Sequence, residues 1–243
     1  MTALDTISAS AAPIGAAGAA FYFAPATLAR GKELGLDGFR FYVLGRGGVL
    51  GDVAPPVVQS AFGYFTAAVI DKIWTSAAEK VAPREAGRIY HECCAEHGRA
   101  TAGDVEGLAE FVDAAETVVA AADPAALALF AGIAAEPLAD DLPGRAAQLA
   151  AVLRELRGSA HLVALLAAGL SPAVAHCVKR PEMAGAFGYE TPLEGAADHA
   201  ERAAAAEELT DQLLVPAYST LTDAQGAALV AGAVALEAAM VAS

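Results

Sequence analysis

Apolar and polar residues follow one another along most of this chain at intervals of three and four residues, the period of an amphipathic α-helix. Several segments begin with a capping residue followed by proline, a pattern typical of the first turn of a helix, as at Asp123-Pro124, Ser171-Pro172 and Thr191-Pro192. The pattern predicts nine helices, near residues 25–34, 55–72, 83–99, 104–122, 124–134, 143–168, 172–180, 192–214 and 222–241.

Signals at the ends of these segments support the same interpretation. Thr191 with Glu194, and Thr222 with Gln225, have the spacing of a reciprocal capping box, while Gly35 and Gly169 stand where glycine commonly ends a helix. Alanine dominates the composition and aromatic residues make up only 7% of it, which favours closely packed helices over a β-rich fold. The expected fold class is therefore all-α, a bundle of about nine helices.

The passage from Gly35 to Gly51 is the exception, because glycine interrupts it repeatedly. We expect a structured glycine-rich loop here, near residues 35–51. It lacks the Lys-Ser/Thr ending of a P-loop and the order of elements of a dinucleotide site, so a nucleotide is not the favoured ligand. Two interpretations of Arg46 stay open: the glycines let it approach an interior pocket, or it is a solvated arginine in an ordinary turn.

The predicted helix over 143–168 carries an unusual polar stripe. Arg154, Arg157, Gly158 and His161 are three, four and seven residues apart, so they share one face, and the segment that follows is apolar on all sides. A helix of this kind is enclosed by other helices, and His161 is expected to point inward. Glu155 lies about 100° around the helix from Arg154, which makes it a partner for an arginine on another element.

Composition narrows the class of protein. A chain of 243 residues that is 56% hydrophobic can bury a sizeable core, and we expect one helical domain over 1–243, with a possible subdivision into 1–140 and 141–243. The formal net charge of −14 argues against a nucleic-acid partner. No membrane span or secretory leader is predicted, and three cysteines form no disulfide framework. A cytoplasmic protein is expected.

Other residues of the chain suit ligand binding or metal chemistry. Gly63 lies among aromatic residues at Phe62, Tyr64 and Phe65, where missing bulk leaves room for a flat ligand, and Tyr22 requires a hydrogen-bond partner if it is buried. Core packing is the competing explanation for these aromatic residues. The cluster His91, Cys93, Cys94 and His97 offers pairs of ligands but not three that converge, so no metal site is predicted.

The chain resembles a largely uncharacterised actinobacterial family of helical proteins, often described as winged-helix or MarR-like. The resemblance rests on Tyr22-Phe23-Ala24-Pro25, the Arg46 turn with Pro55 beyond it, Phe62-Gly63-Tyr64-Phe65 and the segment 153–161 with 168–170. It implies a homodimer. Members often carry a histidine before the Tyr-Phe-Ala-Pro motif and an acid after it, where this chain has Gly18 and Ala26. The segment from Ala184 to Glu207 is also too short for a DNA-reading wing.

The polar stripe suits more than one chemistry. The main hypothesis is that an interior pocket binds a small, partly apolar and partly anionic molecule through Tyr22, Arg46, Tyr64, Phe65, Arg154, Arg157, Gly158 and His161. A cofactor-independent enzyme is the first alternative, with His161 as general acid or base and Arg157 as anion stabiliser.

Three further alternatives remain. His161 would serve a haem as axial ligand while Arg46 and Arg157 pair with the propionates, although no haem-attachment motif is present and the cofactor stays undetermined. The chain would also fit a relative of a MarR-like regulator that no longer binds DNA. A purely structural ion-pair network is the last alternative. The apolar C-terminal helix supports a homodimer, or else belongs to the core.

Overall fold

The computed structural model describes residues 1–241, and the regular elements in that range are all helices, with no strand. The expectation of an all-α fold is confirmed, with twelve α-helices in the described residues in place of about nine. The α-helices are α1 (Ala3–Ala17), α2 (Pro25–Glu33), α3 (Gly38–Gly47), α4 (Pro55–Phe62), α5 (Ala67–Ala78), α6 (Pro83–Thr101), α7 (Leu108–Ala121), α8 (Ala128–Ala134), α9 (Leu142–Ala167), α10 (Pro172–Lys179), α11 (His199–Tyr218) and α12 (Asp223–Val241).

The prediction of a glycine-rich loop over 35–51 was wrong. Most of it is helix α3, followed by a short 3-10 helix over Gly48–Leu50. The Asp37 side chain caps α3 by accepting a hydrogen bond from the Arg40 backbone N–H. A Cβ on Gly45 would lie 2.5 Å from the Tyr90 ring. The glycines therefore serve the close packing of α3 against α6 and do not break the helix.

The helix predicted over 55–72 is two helices. Gly63 follows α4 with a φ of +77°, a left-handed conformation that glycine adopts without strain, and the chain then turns into α5 at the Thr66 cap. The two helices are joined by residues 63–66. The side of Gly63 on which a Cβ would stand is filled by Leu162, so this glycine marks a turn packed on α9.

Other boundaries also differ from expectation, since α8 begins at Ala128 and Asp123-Pro124 lies in irregular chain. Helix α1 was not predicted, although Thr2 and Asp5 form the capping box that begins it. Helix α11 begins at His199, because Thr191-Pro192 lies in irregular chain and the expected capping box there does not start a helix. The box at Thr222 and Gln225 is confirmed by bonds in both directions.

Helix α9 occupies the centre of the molecule. It packs against α1, α6, α7, α8 and α11, and most of its residues from Gly144 to Leu165 are buried. The expectation of an enclosed helix is confirmed. Because its neighbours cover α9 on several sides, any charged side chain on this helix must find a partner on one of them.

Helix α12 packs on α1 and α7 through Leu229, Ala233 and Leu236. By length and composition it is the one described helix that would cross a membrane, with a mean hydropathy of 1.6, but core helices of water-soluble proteins often meet the same criterion. Its outward positions are small and apolar and recur at three and four residues: Ala224, Ala227, Ala231, Val234, Ala238 and Val241.

Candidate functional site

A buried ion pair joins α3 to α9. Nε and Nη2 of Arg46 donate to the two carboxylate oxygens of Glu155 at 2.8 and 2.7 Å, an arrangement in which both ends of the guanidinium fork are used. Glu155 is only 2% exposed. The inference that Glu155 pairs with an arginine from another element is confirmed. Arg46 faces the interior and is not the solvated arginine of the second interpretation.

Arg154 and Tyr22 complete this first cluster. Nη1 of Arg154 donates to the Tyr22 hydroxyl at 2.9 Å and to Glu155 at 3.0 Å, while the Tyr22 hydroxyl donates to Glu155 at 3.0 Å. Burial alone would raise the pKa of Glu155, but the charge and hydrogen bonds of Arg46, with Arg154, lower it to about 2. Two guanidinium groups thus share one carboxylate, which leaves one positive charge in excess.

Aromatic rings enclose the first cluster. The Arg46 guanidinium lies 4.5 Å from the centre of the Phe62 ring, and that of Arg154 lies 5.0 Å from the Tyr22 ring. Behind them a cavity of about 20 Å³ is lined by Tyr22, Arg46, Glu155 and His91 among others. A volume of this size holds about one water molecule, so it leaves no room for a larger ligand in this conformation.

A second cluster lies one to two turns further along α9. Nη2 of Arg157 donates to Glu207 at 2.9 Å and to Asp211 at 3.3 Å, both on α11. Two carboxylates therefore surround one guanidinium, and the excess charge at this end is negative. Lys179 approaches Glu207 only to 3.9 Å and is largely exposed, so water screens its contribution.

His161 belongs to the second cluster and faces Thr210. The Thr210 hydroxyl donates to the Ala206 carbonyl at 2.6 Å, so its oxygen accepts from Nδ1 of His161 at 2.9 Å. This assigns the proton to Nδ1 and leaves the Nε2 lone pair without a hydrogen-bond partner among residues 1–241. Burial and the Arg157 charge lower the pKa of His161 against the opposing effect of Glu207, which favours the neutral ring at pH 7.

Gly158 lies on α9 between the two clusters. A Cβ built on it would meet no atom within 4 Å, in contrast to Gly63 or Gly45, where such an atom collides with a neighbour. We call this open space the Gly158 recess and define its ends by Arg154 and His161. Tyr64 packs on a small cluster of α9 and α11 that includes Leu165 and Ala206, and burial raises the pKa of its phenol against the opposing charges of Arg46 and Arg154.

The remaining residues predicted for binding fall into different places. Phe65 is buried in the core, where its ring meets that of Phe187 at 4.4 Å, so it does not face the recess. The Tyr64 hydroxyl has no hydrogen-bond partner within the described chain, and its ring packs near His176. The structure thus places Tyr22, Arg46 and Arg154 in the first cluster and Arg157 and His161 in the second, with Gly158 between them on α9.

The cysteine and histidine cluster of α6 is internal. Cys93 and Cys94 are buried, which raises the pKa of both thiols, and His97 contacts the Met240 carbonyl at 3.1 Å. Over residues 1–241 no three histidine, cysteine or acidic side chains are grouped as metal ligands would be. His91 is 6% exposed and its Nε2 has no hydrogen-bond partner in this part of the chain.

Haem does not fit the arrangement described. The two arginines expected to pair with its propionates are already held by carboxylates, Arg46 by Glu155 and Arg157 by Glu207 and Asp211. A propionate at Arg157 would meet two acids and be repelled, and both ends of the Arg46 guanidinium are already occupied by Glu155. Nothing in the geometry therefore supports the axial role considered for His161.

Sequence reasoning missed the α11 half of the site. Glu207, Thr210 and Asp211 are three or four residues apart and share one face of that helix, which is the signal that could have identified them. Their contact with α9 depends on how the two helices pack, and no local pattern encodes this. The pairing of Glu155 with Arg46 joins residues 109 positions apart for the same reason.

Comparisons with known proteins complete this description. No curated protein and no solved structure matches the chain. A family model described as a helix-turn-helix family matches residues 8–233, nearly the whole length. The chain therefore belongs to this helix-turn-helix family.

Proposed function

We propose that the protein binds a small, partly apolar and partly anionic molecule in the Gly158 recess. The observation that carries the proposal is the excess positive charge at Arg154 beside open space. Nε and Nη2 of Arg154 have no acceptor among residues 1–241, and the side chain is 29% exposed. A half-buried guanidinium with free donors attracts a carboxylate or phosphate more strongly than one in bulk water.

The apolar part of the ligand has a surface to contact. Leu162 on α9 and Tyr64 are both part-exposed, and Tyr64 packs against a buried cluster that includes Ala164, Leu165 and Ala206. An aromatic or aliphatic body lying over Gly158 would cover this surface, because glycine presents no side chain there. Pockets that combine apolar walls with few polar groups are typical of small-molecule sites.

A glycine substitution tests the proposal. Gly158→Leu places a side chain in the recess, where a Cβ meets no atom within 4 Å, and Gly15→Leu is the matched control because Gly15 is another helical glycine with the same open space around its Cβ. The probe is 1-anilinonaphthalene-8-sulfonate, an apolar anion whose fluorescence rises on binding. We expect Gly158→Leu to raise the Kd of the probe about tenfold or more, and Gly15→Leu to keep its Kd within about twofold of that of the unchanged protein.

The outcomes are distinct. If both variants and the unchanged protein bind the probe equally well, the probe binds outside the recess and the proposal is overturned. Absence of any binding overturns it as well. Native mass spectrometry of protein purified from its own host adds an independent measurement. A discrete added mass that is retained by the unchanged protein and lost from Gly158→Leu supports the recess as the natural site.

Catalysis is the second candidate, and one observation favours it. His161 is held in the neutral form with a free Nε2, which is the state required of a general base near pH 7. Arg157 is less suited to stabilise an anion, since Glu207 and Asp211 already offset its charge. Replacing His161 by alanine would abolish turnover and keep much of the affinity if the protein is an enzyme, whereas a binding protein has no turnover to lose.

Membership of a helix-turn-helix family favours a regulator that binds DNA. The acidic net charge of the chain argues against a nucleic-acid partner. Helices α4 and α5, joined by four residues, have the layout of a helix-turn-helix unit. The exposed positions of α5 include Lys72 but also Asp71, with no arginine. A recognition helix requires a basic face, so we propose a member that does not bind DNA. Retardation of a 30-base-pair duplex at low salt would contradict this.

We further propose that the protein is cytoplasmic and forms a homodimer through α12. The outward apolar positions of this helix repeat at alternating intervals of three and four residues, the spacing of a coiled-coil seam. None of these positions is charged, although the chain carries a net charge of −14. Two copies approaching along this face therefore meet less repulsion than along their acidic surfaces, which favours a second copy as the occupant.

A further inference from the structure

The two ends of the Gly158 recess carry opposite excess charge. At one end Arg46 and Arg154 share Glu155, and at the other Glu207 and Asp211 share Arg157. A ligand lying along α9 would experience a positive potential near Arg154 and a negative one near His161. This asymmetry fixes the direction in which a molecule with one anionic end lies.

The recess also has a definite length. Arg154 and His161 are seven residues apart on a straight stretch of α-helix, which corresponds to about 10 Å along the axis. Seven residues complete almost two turns, so both side chains lie on the same face with Gly158 between them. A rigid body of about two fused rings spans this distance.

The His161 end accepts hydrogen bonds. With its proton on Nδ1 bonded to Thr210, the ring presents a lone pair at Nε2, and the neighbouring Glu207 and Asp211 are also acceptors. A second carboxylate would be repelled there. A hydroxyl group is accommodated, because it donates one hydrogen and carries no charge.

We infer that the ligand of the Gly158 recess is a hydroxy-carboxylic acid with a flat apolar body, its carboxylate bound by Arg154 and its hydroxyl donating to His161, whose backbone lies about 10 Å further along α9. This inference rests on the proposed function and deepens it. Of the two arginines on the stripe, Arg154 holds the anion, since two carboxylates already offset the charge of Arg157, although only its Nη2 donates to them and its buried Nε has no partner among residues 1–241.

Three probes separate the contributions of the two ends: 6-hydroxy-2-naphthoate, 2-naphthoate without the hydroxyl, and 2-naphthol without the carboxylate. Their Kd values are measured by calorimetry with the full chain. We expect 6-hydroxy-2-naphthoate to bind about tenfold tighter than 2-naphthol, because a charged hydrogen bond is lost, and about threefold or more tighter than 2-naphthoate.

Two variants assign each preference to its residue. Arg154→Met should remove the advantage of the carboxylate, and His161→Phe should remove the advantage of the hydroxyl while keeping that of the carboxylate. Arg145→Met is the control, since Arg145 pairs with Glu116 away from the recess and should change neither preference. A preference that survives in the variant designed to remove it overturns the assignment.

The failure of this inference differs from the failure of the proposed function. If the naphthoates bind, and Gly158→Leu blocks them, but the hydroxyl adds nothing, then the recess is the site and the ligand class inferred here is wrong. If no naphthoate binds and the sulfonate probe is equally unaffected by Gly158→Leu, the recess itself is rejected.

Discussion

The Glu155 carboxylate pairs with two guanidinium groups that are largely removed from water. Replacing it with glutamine keeps the shape but leaves Arg46 and Arg154 without a negative partner. We expect Glu155→Gln to lower the free energy of unfolding by about 3–5 kcal/mol in urea denaturation at pH 7. The control is Glu116→Gln, because its pair with Arg145 is part-exposed and its loss should cost about 1 kcal/mol or less. Similar losses in both variants would contradict the role assigned to Glu155.

His91 is a buried imidazole that resists protonation, since burial lowers its pKa to about 4. The unfolded chain takes up this proton near pH 6.5, so the contribution to stability is present above pH 6.5 and is lost as the pH falls towards 4. It amounts to about 3 kcal/mol at most over that window. Urea denaturation at several pH values should show a smaller loss of stability on acidification in His91→Leu. Parallel pH profiles for the two proteins would exclude this effect.

Substitution by alanine is expected to have opposite effects on stability at two glycines on neighbouring elements. Gly158 lies inside α9 with open space beside it, so Gly158→Ala should stabilise the protein by about 0.5–1 kcal/mol through the higher helix propensity of alanine. Gly63 ends α4 at a positive φ and faces Leu162, so Gly63→Ala should destabilise it by about 1–3 kcal/mol. Thermal unfolding of both variants measures the two effects. A loss of stability in Gly158→Ala would show that the recess is filled.

A capping residue followed by proline marked the first turn of a helix at Ser171-Pro172, but the same pattern at Asp123-Pro124 and Thr191-Pro192 lies in irregular chain. Glycine misled the interpretation in both directions. In α3 it allows helices to approach closely, whereas Gly63 ends a helix that apolar periodicity alone would continue. Whether a glycine ends a helix or lets two helices pack closely depends on the neighbouring element. At Gly45 that neighbour is Tyr90 on α6. The stripe on α9 was predictable from spacing, but its partners on α11 depend on tertiary packing.

At the scale of the whole molecule, the proposed dimer makes a prediction about mass. Light scattering coupled to size exclusion should give twice the chain mass of 24.4 kDa. Val234→Glu places a charge on the outward face of α12, where Val234 is half exposed, and should yield monomers with an unchanged fold. Asp71→Lys on the surface of α5 is a control that should remain dimeric. A monomer in the unchanged protein would reject the pairing.

The central place of α9 has a consequence for how the molecule opens. Since α1, α6, α7, α8 and α11 all rest on this helix, its backbone amides cannot reach solvent by the loss of any one neighbour. In deuterium exchange we expect the amides around Leu149 to Leu156 to exchange last, at the rate of global unfolding. In the turn at residues 63–66, the Tyr64 and Phe65 amides have no hydrogen-bond acceptor among residues 1–241 and should exchange far sooner. A ligand bound over Gly158 would slow the turn and leave α9 unchanged, so exchange at this turn can report occupancy.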